Sequence, residues 1–327
     1  MIKLIYPKFW NKRSWITVIM IPCSYIYRLF GFIRNKINKK IVLTQKVICV
    51  GNITLGGSGK TQIVAWLMQI LKQKKIPFVI ITKGYRSDIF RAKVVKKTHS
   101  AREVGDESIM LKEYGEVIAA KRIKHALVLI KKKNPKIVIL DDGMQNPLIK
   151  KDLQILAIDS LNPVGNNMIF PCGPLREKVS TGLTKSDLIF MVGNTACKDL
   201  KLIKDINLTK KPYFQAIIKL KEDLNKNIEY VAFAGIANPE KFYSLLLLNN
   251  FKLKQCISFE DHYNYSNNKI QKLLDLANVN NCHLITTEKD YVKLDSKYKA
   301  LITCARVILK FKDEQKCIDL IYKKLLF

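Results

Sequence analysis

Lys60 and Thr61 follow the run Gly56-Gly57-Ser58-Gly59, and Asp141 and Asp142 follow the apolar run Ile137 to Leu140. A lysine there is a point charge for phosphate oxygens. A threonine hydroxyl and an aspartate can hold Mg²⁺ beside those phosphates. The chemistry these residue types suggest is handling of a nucleoside triphosphate. The elements needed to position them can be read on either side. Val47 to Val50 is a short apolar run with the look of a buried strand. Ile63, Ala65, Trp66, Leu67, Ile70 and Leu71 recur at helical spacing. Strand, glycine loop, Lys-Thr and helix is the order that cradles a triphosphate, with loop N–H groups and the positive helix end facing the phosphates. Thr54, Leu55, Gly56, Gly57, Ser58, Gly59, Lys60 and Thr61 are the candidate nucleotide-binding residues. One departure stands out. The strict pattern G-x-x-x-x-G-K-[ST] puts glycine where this chain has Thr54. The plainer alternative is a glycine-rich turn between a strand and a helix.

The chain has 327 residues, enough for two domains or one large one, and its 48% hydrophobic content suffices for a core. Cysteines stand at 23, 49, 172, 197, 256, 282, 304 and 317, with no C-x-x-C pair and no histidine at metal-ligand spacing. That argues for reduced thiols and against a structural zinc. The formal charge of +30 points to anionic partners, although a general drift toward Lys, Ile and Asn accounts for part of it. Drift does not account for the distribution, since no Asp or Glu precedes Asp88.

The first residues are basic and aromatic, with Lys3, Lys8, Lys12 and Arg13 among Tyr6, Phe9 and Trp10. Ser14 to Tyr27 carries no charge, Arg28 interrupts, and Leu29 to Ile33 resumes the apolar run. A spanning helix needs roughly 20 apolar residues, and Pro22 breaks this stretch. A buried soluble helix is a further alternative. An interfacial helix fits best, with Trp10, Trp15, Tyr25 and Tyr27 at headgroup depth. Arg34, Lys36, Lys39 and Lys40 then form a collar suited to an anionic membrane surface.

Further strands are expected at Pro77–Ile81, Ile137–Leu140, Leu153–Ile158 and Leu188–Val192, with residues 87–103 irregular and a helix over Lys121–Lys133. Strands alternating with helices predict an α/β fold whose parallel sheet resembles that of P-loop NTPases, with ligands at the strands' carboxyl ends. From Pro212 the texture changes. Strands at Tyr213–Leu220, Tyr230–Gly235, Cys256–Phe259, His283–Thr286 and Arg306–Phe311 suggest a second α/β unit. The expected division is a membrane-associating segment over 1–40, a phosphate-loop domain over 41–210 and a second domain over 211–327. Phe170 to Glu177 reads as a rigid turn bearing an Arg176–Glu177 pair. Thr184-Lys185-Ser186-Asp187 matches the guanine-reading [NT]-K-x-D pattern, but it precedes a strand where that motif should follow one, so it reads as coincidence.

Several strings now occur in one order: Gly51-Asn52-Ile53-Thr54 through Lys60-Thr61, Val104-Gly105-Asp106-Glu107, Asp141-Asp142-Gly143-Met144-Gln145, Gly173-Pro174-Leu175-Arg176-Glu177, Phe233-Ala234-Gly235-Ile236, Asp261-His262, and Thr286-Thr287-Glu288-Lys289-Asp290. Together they resemble the tetraacyldisaccharide 4′-kinase family, the lipid A 4′-kinases, which also have threonine at the position of Thr54. The resemblance runs from the N-terminal apolar segment to about residue 293. It implies two α/β/α sandwich domains joined by a small two-stranded linker, with the site in the cleft between them. It implies ATP and Mg²⁺, and the acceptor tetraacyl disaccharide 1-phosphate, phosphorylated at its 4′-hydroxyl to give lipid IVA. It also implies peripheral attachment to the cytosolic face of a bacterial inner membrane. Lys60 and Thr61 keep the roles argued above, and Asp141 and Asp142 match the acidic pair near the metal. Asp106 matches the proposed catalytic base and His262 its partner. Arg176 and Glu177 match a loop near the phosphates or the metal. Asn146 and Tyr263 depart from the family, which usually has histidine at both places. Ser87 departs as well, after Gly84-Tyr85-Arg86.

Two other readings compete. A membrane-bound P-loop ATPase or GTPase switch would hydrolyse nucleotide without a lipid acceptor. A nucleic-acid-binding protein is suggested only by the charge. No helix-turn-helix, zinc finger or RNP-like pattern is present, so no specific nucleic-acid contact is expected. No obligate protein partner is evident.

Overall fold

The computed structural model describes residues 7–37, 39–221 and 224–326, so Lys3 and Tyr6 of the basic leader lie outside the described residues. In chain order the strands are β1 (Lys46–Gly51), β2 (Phe78–Thr82), β3 (Lys93–Val94), β4 (Val117–Ala119), β5 (Ile137–Asp141), β6 (Leu153–Asp159), β7 (Leu188–Val192), β8 (Tyr213–Leu220), β9 (Glu229–Ala234), β10 (Lys252–Ser258), β11 (His283–Thr287), β12 (Ile302–Ala305) and β13 (Val307–Phe311). Helices separate most of them, which makes the fold mixed α/β.

The chain forms two compact units that interleave in sequence. The first comprises Met1–Ile81, Ile130–Ile218 and Leu309–Phe327, and the second Thr82–Leu129 and Lys219–Ile308. This differs from the linear division expected at residue 210. β8 extends the first unit's sheet beside β7, and β13 lies next to β8, so the end of the chain returns to where it started. A strand's alternation sets which of its faces is buried. It does not say which sheet the strand joins.

In the first unit the strand order is β13-β8-β7-β6-β1-β5-β2. The pairs β1–β5, β1–β6, β2–β5, β6–β7 and β7–β8 are parallel. Val47, Ile48, Cys49 and Val50 are buried, as are Val138 and Ile139. Such unbroken apolar runs are what a sheet covered on both faces requires. The chain order reverses at β1, with β5 and β2 to one side and β6, β7 and β8 to the other. A reversal of this kind opens a crevice at the strands' carboxyl ends. There the register pairs Val50 with Asp141 and Gly51 with Leu156.

The second unit has a four-stranded sheet in the order β10-β9-β11-β12, with all neighbours parallel. It also has the short antiparallel pair β3–β4, which falls partly in the stretch expected to be irregular. Phe233, Leu284, Ile270, Leu273 and Tyr298 fill one core on this sheet.

The N-terminal segment packs on the first unit. A turn at Lys8–Trp10 and a helix at Trp15–Ile19 lead into a second helix, Ile21–Ile37. Pro22 is the second residue of that helix, where its missing N–H costs nothing, and the apolar run is broken just before it, at Met20, as expected. Trp10 is only 3% exposed and donates its indole N–H to the Pro171 carbonyl at 2.9 Å. It is an anchor in the protein, which corrects its expected place at headgroup depth. Ser24 donates to the Ile169 carbonyl at 2.7 Å, and Arg34 to the Gln145 carbonyl at 2.8 Å. The opposite face is apolar and open: Trp15, Ile19, Tyr25, Phe30, Phe32 and Ile37 are all more than half exposed. No helix among the described residues is long and apolar enough to cross a membrane.

Trp10→Ala is expected to destabilise the protein by about 3–5 kcal/mol, the usual cost of emptying a buried aromatic site. Urea unfolding of both proteins checks this. A loss within error of zero would mean the segment is not anchored through Trp10.

Candidate functional site

The phosphate loop leaves β1 and ends at the helix Lys60–Gln73. Its first half is laced to the turn after Gly173. Leu55 N–H donates to the Pro174 carbonyl and Arg176 N–H to the Ile53 carbonyl, both at 2.7 Å, and Thr54 bridges Leu175 in antiparallel fashion. Thr54 therefore sits in an extended pairing, which suits a β-branched residue and needs no glycine. Glycine is required later, at Gly59. Its φ is +76°, and a Cβ there would fall 2.7 Å from the Val192 side chain. Ser58 is 3% exposed, and its hydroxyl has no hydrogen-bond partner among the described residues. A buried hydroxyl in that state suits a loop built to receive an anion.

Asp141 ends β5, buried, and Asp142 follows in the left-handed region at φ +57°. The Asp142 N–H is fixed by the Val50 carbonyl at 2.9 Å. Its carboxylate accepts from one Arg176 nitrogen at 2.7 and 3.0 Å and lies 3.8 Å from the Lys60 ammonium. Gln145 ties the neighbourhood together. Its amide donates to the Asn52 carbonyl at 2.7 Å and to Glu177 at 3.0 Å, and its oxygen accepts from Arg176 at 3.2 Å. Glu177 also accepts from Lys185 at 2.5 Å, which makes it a brace for Gln145.

Thus Lys60, Asp142, Arg176 and Glu177 are brought together through direct contacts and Gln145. Asp141 is adjacent through the strand register. Hard oxygen donors beside a phosphate loop fit Mg²⁺, which takes one or two carboxylates and fills its shell with phosphate and water oxygens. Among the described residues no three His, Cys, Asp or Glu side chains group tightly enough to hold a metal by themselves, which a shared ion does not need.

Two sequence questions resolve here. Asn146, standing where histidine was expected, accepts the Leu148 N–H at 2.9 Å and so closes a turn. Asp187 of the guanine-like string accepts from the Gln154 N–H at 2.9 Å and from Lys324 at 2.8 Å, so its carboxylate serves the fold.

The second unit holds the Asp–His pair. Asp106 opens the helix Asp106–Lys112 after Gly105 and is 4% exposed. One oxygen accepts the Glu107 N–H at 2.9 Å, and the other lies 2.8 Å from His262 Nδ1. His262 adopts φ +60°, a conformation histidine tolerates better than most, and its N–H donates to the Gly235 carbonyl at 3.0 Å. The Gly235 N–H donates to Asp290 at 2.9 Å. The strings around Gly235, His262 and Asp290, far apart in sequence, therefore meet at one glycine. A Cβ on Gly235 would lie 2.9 Å from the Tyr265 hydroxyl. Tyr263 packs in an aromatic cluster with Phe259 and Tyr265. Tyr85 lies with its ring centroid 5.0 Å from that of His262, and Arg86 donates to the Asp261 carbonyl.

Burial disfavours the Asp106 carboxylate, but the hydrogen bond from His262 and the charge of Lys289 outweigh it and hold the pKa down to about 2. Burial likewise opposes the charge of Lys289, and the carboxylates of Glu107, Asp106 and Asp261 overcome it, raising its pKa. Sequence spacing assigns no role to Gln145 or Lys289. Both lie inside strings that the ordered resemblance singles out, which is the signal that could have drawn attention to them.

A parallel sheet reversing at a phosphate loop, with aspartates on the neighbouring strand, defines a P-loop nucleotide-binding protein. Comparison with known proteins narrows this. The family model for tetraacyldisaccharide-1-P 4′-kinase matches residues 16–326. A tetraacyldisaccharide 4′-kinase of Rickettsia bellii is 43% identical over 325 residues, covering 99% of this chain and all of the relative. One from Rickettsia akari is 40% identical over 328 residues, covering 99% of this chain and 98% of the relative. The crystal structure of LpxK from Aquifex aeolicus, described as an "apo" form in complex with ATP, superposes with a TM-score of 0.75 at 26% identity, covering 95% of this chain and 99% of that one. The chain belongs to the tetraacyldisaccharide 4′-kinase family and is an ATP-dependent kinase.

The depressed pKa of Asp106 has a measurable effect. A carboxylate whose folded pKa lies below its unfolded one stabilises the protein above about pH 4, and that contribution fades as pH falls toward 2. Asp106→Asn should cost about 2 kcal/mol at pH 6 and progressively less between about pH 4 and 2. Urea midpoints across that range check it. A pH-independent difference would show that ionisation of Asp106 contributes nothing.

Proposed function

We propose that the chain transfers the γ-phosphate of ATP to the 4′-hydroxyl of tetraacyl disaccharide 1-phosphate, forming lipid IVA in lipid A biosynthesis. The observation that carries this is the full-length likeness to tetraacyldisaccharide 4′-kinases, with the phosphate loop, the aspartate pair and the Asp106–His262 contact all present in one chain.

In this reading Lys60, Ser58 and the loop N–H groups hold the β- and γ-phosphates. Thr61, Asp141 and Asp142 would hold Mg²⁺, with Glu177 linked to Asp142 through Gln145 and Arg176 and so able to assist. The ion supplies positive charge to the phosphate oxygens during transfer. Arg176, drawn to Asp142, is poised to meet the same phosphates. Asp106 serves as the base. Its carboxylate is ionised at neutral pH and can orient the acceptor hydroxyl. The O–H bond breaks as the new P–O bond forms and the bond to ADP breaks, with the proton passing to Asp106. In a loose transition state that proton leaves late, so a strong base is not required. His262 orients the carboxylate.

The acceptor's acyl chains suggest a use for the open apolar face of the N-terminal helices. Trp15, Ile19, Phe30 and Phe32 would lie in the surface layer of an anionic membrane, at the cytosolic face of the inner membrane. Arg28, Arg34, Lys36, Lys39 and Lys40 would contact its headgroups. The GTPase version of the switch has no such support, since Asp187, the key residue of its guanine-like string, is committed to the fold.

With ATP, Mg²⁺ and tetraacyl disaccharide 1-phosphate in detergent, mass spectrometry should detect the bisphosphorylated lipid. ATP hydrolysis unaffected by the lipid, with no such product, would refute the reading. Lys60→Ala should nearly abolish turnover. Asp106→Ala should lower it by roughly 10²–10⁴ with ATP binding retained. An Asp106→Ala enzyme as fast as the parent removes Asp106 as the base.

Phe30→Ser with Phe32→Ser should weaken sedimentation with anionic vesicles and slow lipid phosphorylation while leaving nucleotide affinity unchanged. Undiminished vesicle binding would place the membrane contact elsewhere.

A further inference from the structure

The His262 ring is contacted at both nitrogens. Nδ1 lies 2.8 Å from an Asp106 oxygen, and Nε2 lies 3.0 Å from the Lys289 ammonium. The second contact limits the first. An ammonium has three donors and no acceptor. At 3.0 Å it can only donate, so Nε2 must present its lone pair. The Asp261 carboxylate is 3.8 Å from Nε2, too far to accept a hydrogen bond from it. A proton on Nε2 would face a cation, with no hydrogen-bond acceptor for it among the described residues.

Lys289 is held in place for this contact. It lies on the one-turn helix Glu288–Tyr291, whose N-cap Thr287 accepts the Asp290 N–H. Asp290 is fully buried and pinned by Gly235, Thr287 and Lys293. The Lys289 ammonium is 3.4 Å from Asp261 and 3.7 Å from Glu107, and these carboxylates keep it charged despite burial.

We infer that Lys289 is a positioning residue that locks His262 in the neutral tautomer bearing its proton on Nδ1, directed at Asp106. The inference rests on the reading of Asp106 as base and deepens it, because it divides the roles. His262 already carries its one proton and gives it to Asp106 as a hydrogen bond. A second proton on the ring would set two cations 3.0 Å apart. The proton released by the acceptor hydroxyl therefore ends on Asp106 and not on His262. Lys289 keeps the histidine an orienting donor.

The test is NMR of histidine-labelled protein, in which ¹⁵N and ¹³C shifts separate the two neutral tautomers from imidazolium. The chain has four histidines, and a His262→Gln spectrum identifies the resonance that belongs to His262. The parent should show the Nδ1–H tautomer near neutral pH. Lys289→Met should abolish that single form, and Lys289→Arg should keep it. In parallel, Lys289→Met should lower kcat roughly 10–100-fold, by analogy with losing the partner that orients a metal-bound histidine. The KM for ATP should stay unchanged, and Lys289→Arg should recover most of the rate. An Nε2–H or imidazolium signal in the parent overturns the inference, as does an unaltered tautomer in Lys289→Met. If Lys289→Met does not fold, the parent and Lys289→Arg spectra still decide. If the tautomer is as expected while Asp106→Ala turns over normally, the lock stands and the base assignment falls.

Discussion

The ladder between β1 and β5 is the constraint on which the nucleotide half of the protein depends. Because Val50 is in register with Asp141, the last apolar residue of one strand lies beside the first carboxylate of the next. The hydrogen bond from Asp142 N–H to the Val50 carbonyl then turns the chain out of the sheet. A slip of one residue would exchange the two faces of β5 and take Asp141 out of register with Val50. The remaining contacts extend this registration outward. Asp142 holds Arg176, Arg176 touches Gln145, and Gln145 reaches back to Asn52 at the root of the loop. Each step is short and largely shielded from water, where a hydrogen bond to a charged group counts for more than it would at the surface.

The Asp106 half is built differently. Its precision comes from buried charge more than from a strand register. Asp106, Glu107 and Asp261 surround Lys289, and Asp290 pairs with Lys293 at 2.6 Å with both side chains almost fully covered. Removing one member of such a set leaves another charge uncompensated in a poorly solvating interior, a loss that commonly exceeds what the intact pair contributes. The arrangement is therefore intolerant of change at positions that never meet a substrate.

Much of this was legible from the residues. The strands at Val47–Val50, Ile137–Leu140, Leu153–Ile158 and Leu188–Val192 announce themselves as unbroken apolar runs, and all four lie in one sheet. The Gly56–Thr61 loop carries its own mechanism. What could not be read was partnership over distance. Nothing in the alternation of Tyr213–Leu220 says that it joins β7, and nothing near Asp106 says that its unit includes His262. Short pieces such as β3 and β4 bury too little to leave a periodic trace. Trp10 was misplaced because an aromatic among lysines looks the same whether it faces lipid or a carbonyl. Thr54 looked like a defect in a motif until the antiparallel bridge to Leu175 gave it a conformation of its own.

The interleaving of the two units has a consequence for how the protein is made. The chain crosses between them four times, at residues 81/82, 129/130, 218/219 and 308/309. Trp66, on the helix that follows the phosphate loop, donates its indole N–H to Glu314 at 2.8 Å and lies 4.5 Å from the Phe311 ring. That helix thus has to wait for residues synthesised 248 positions later before its outer face is covered. The phosphate-loop unit is begun before the second unit and completed after it, and its exposed apolar surface in the interval is the kind that chaperones hold.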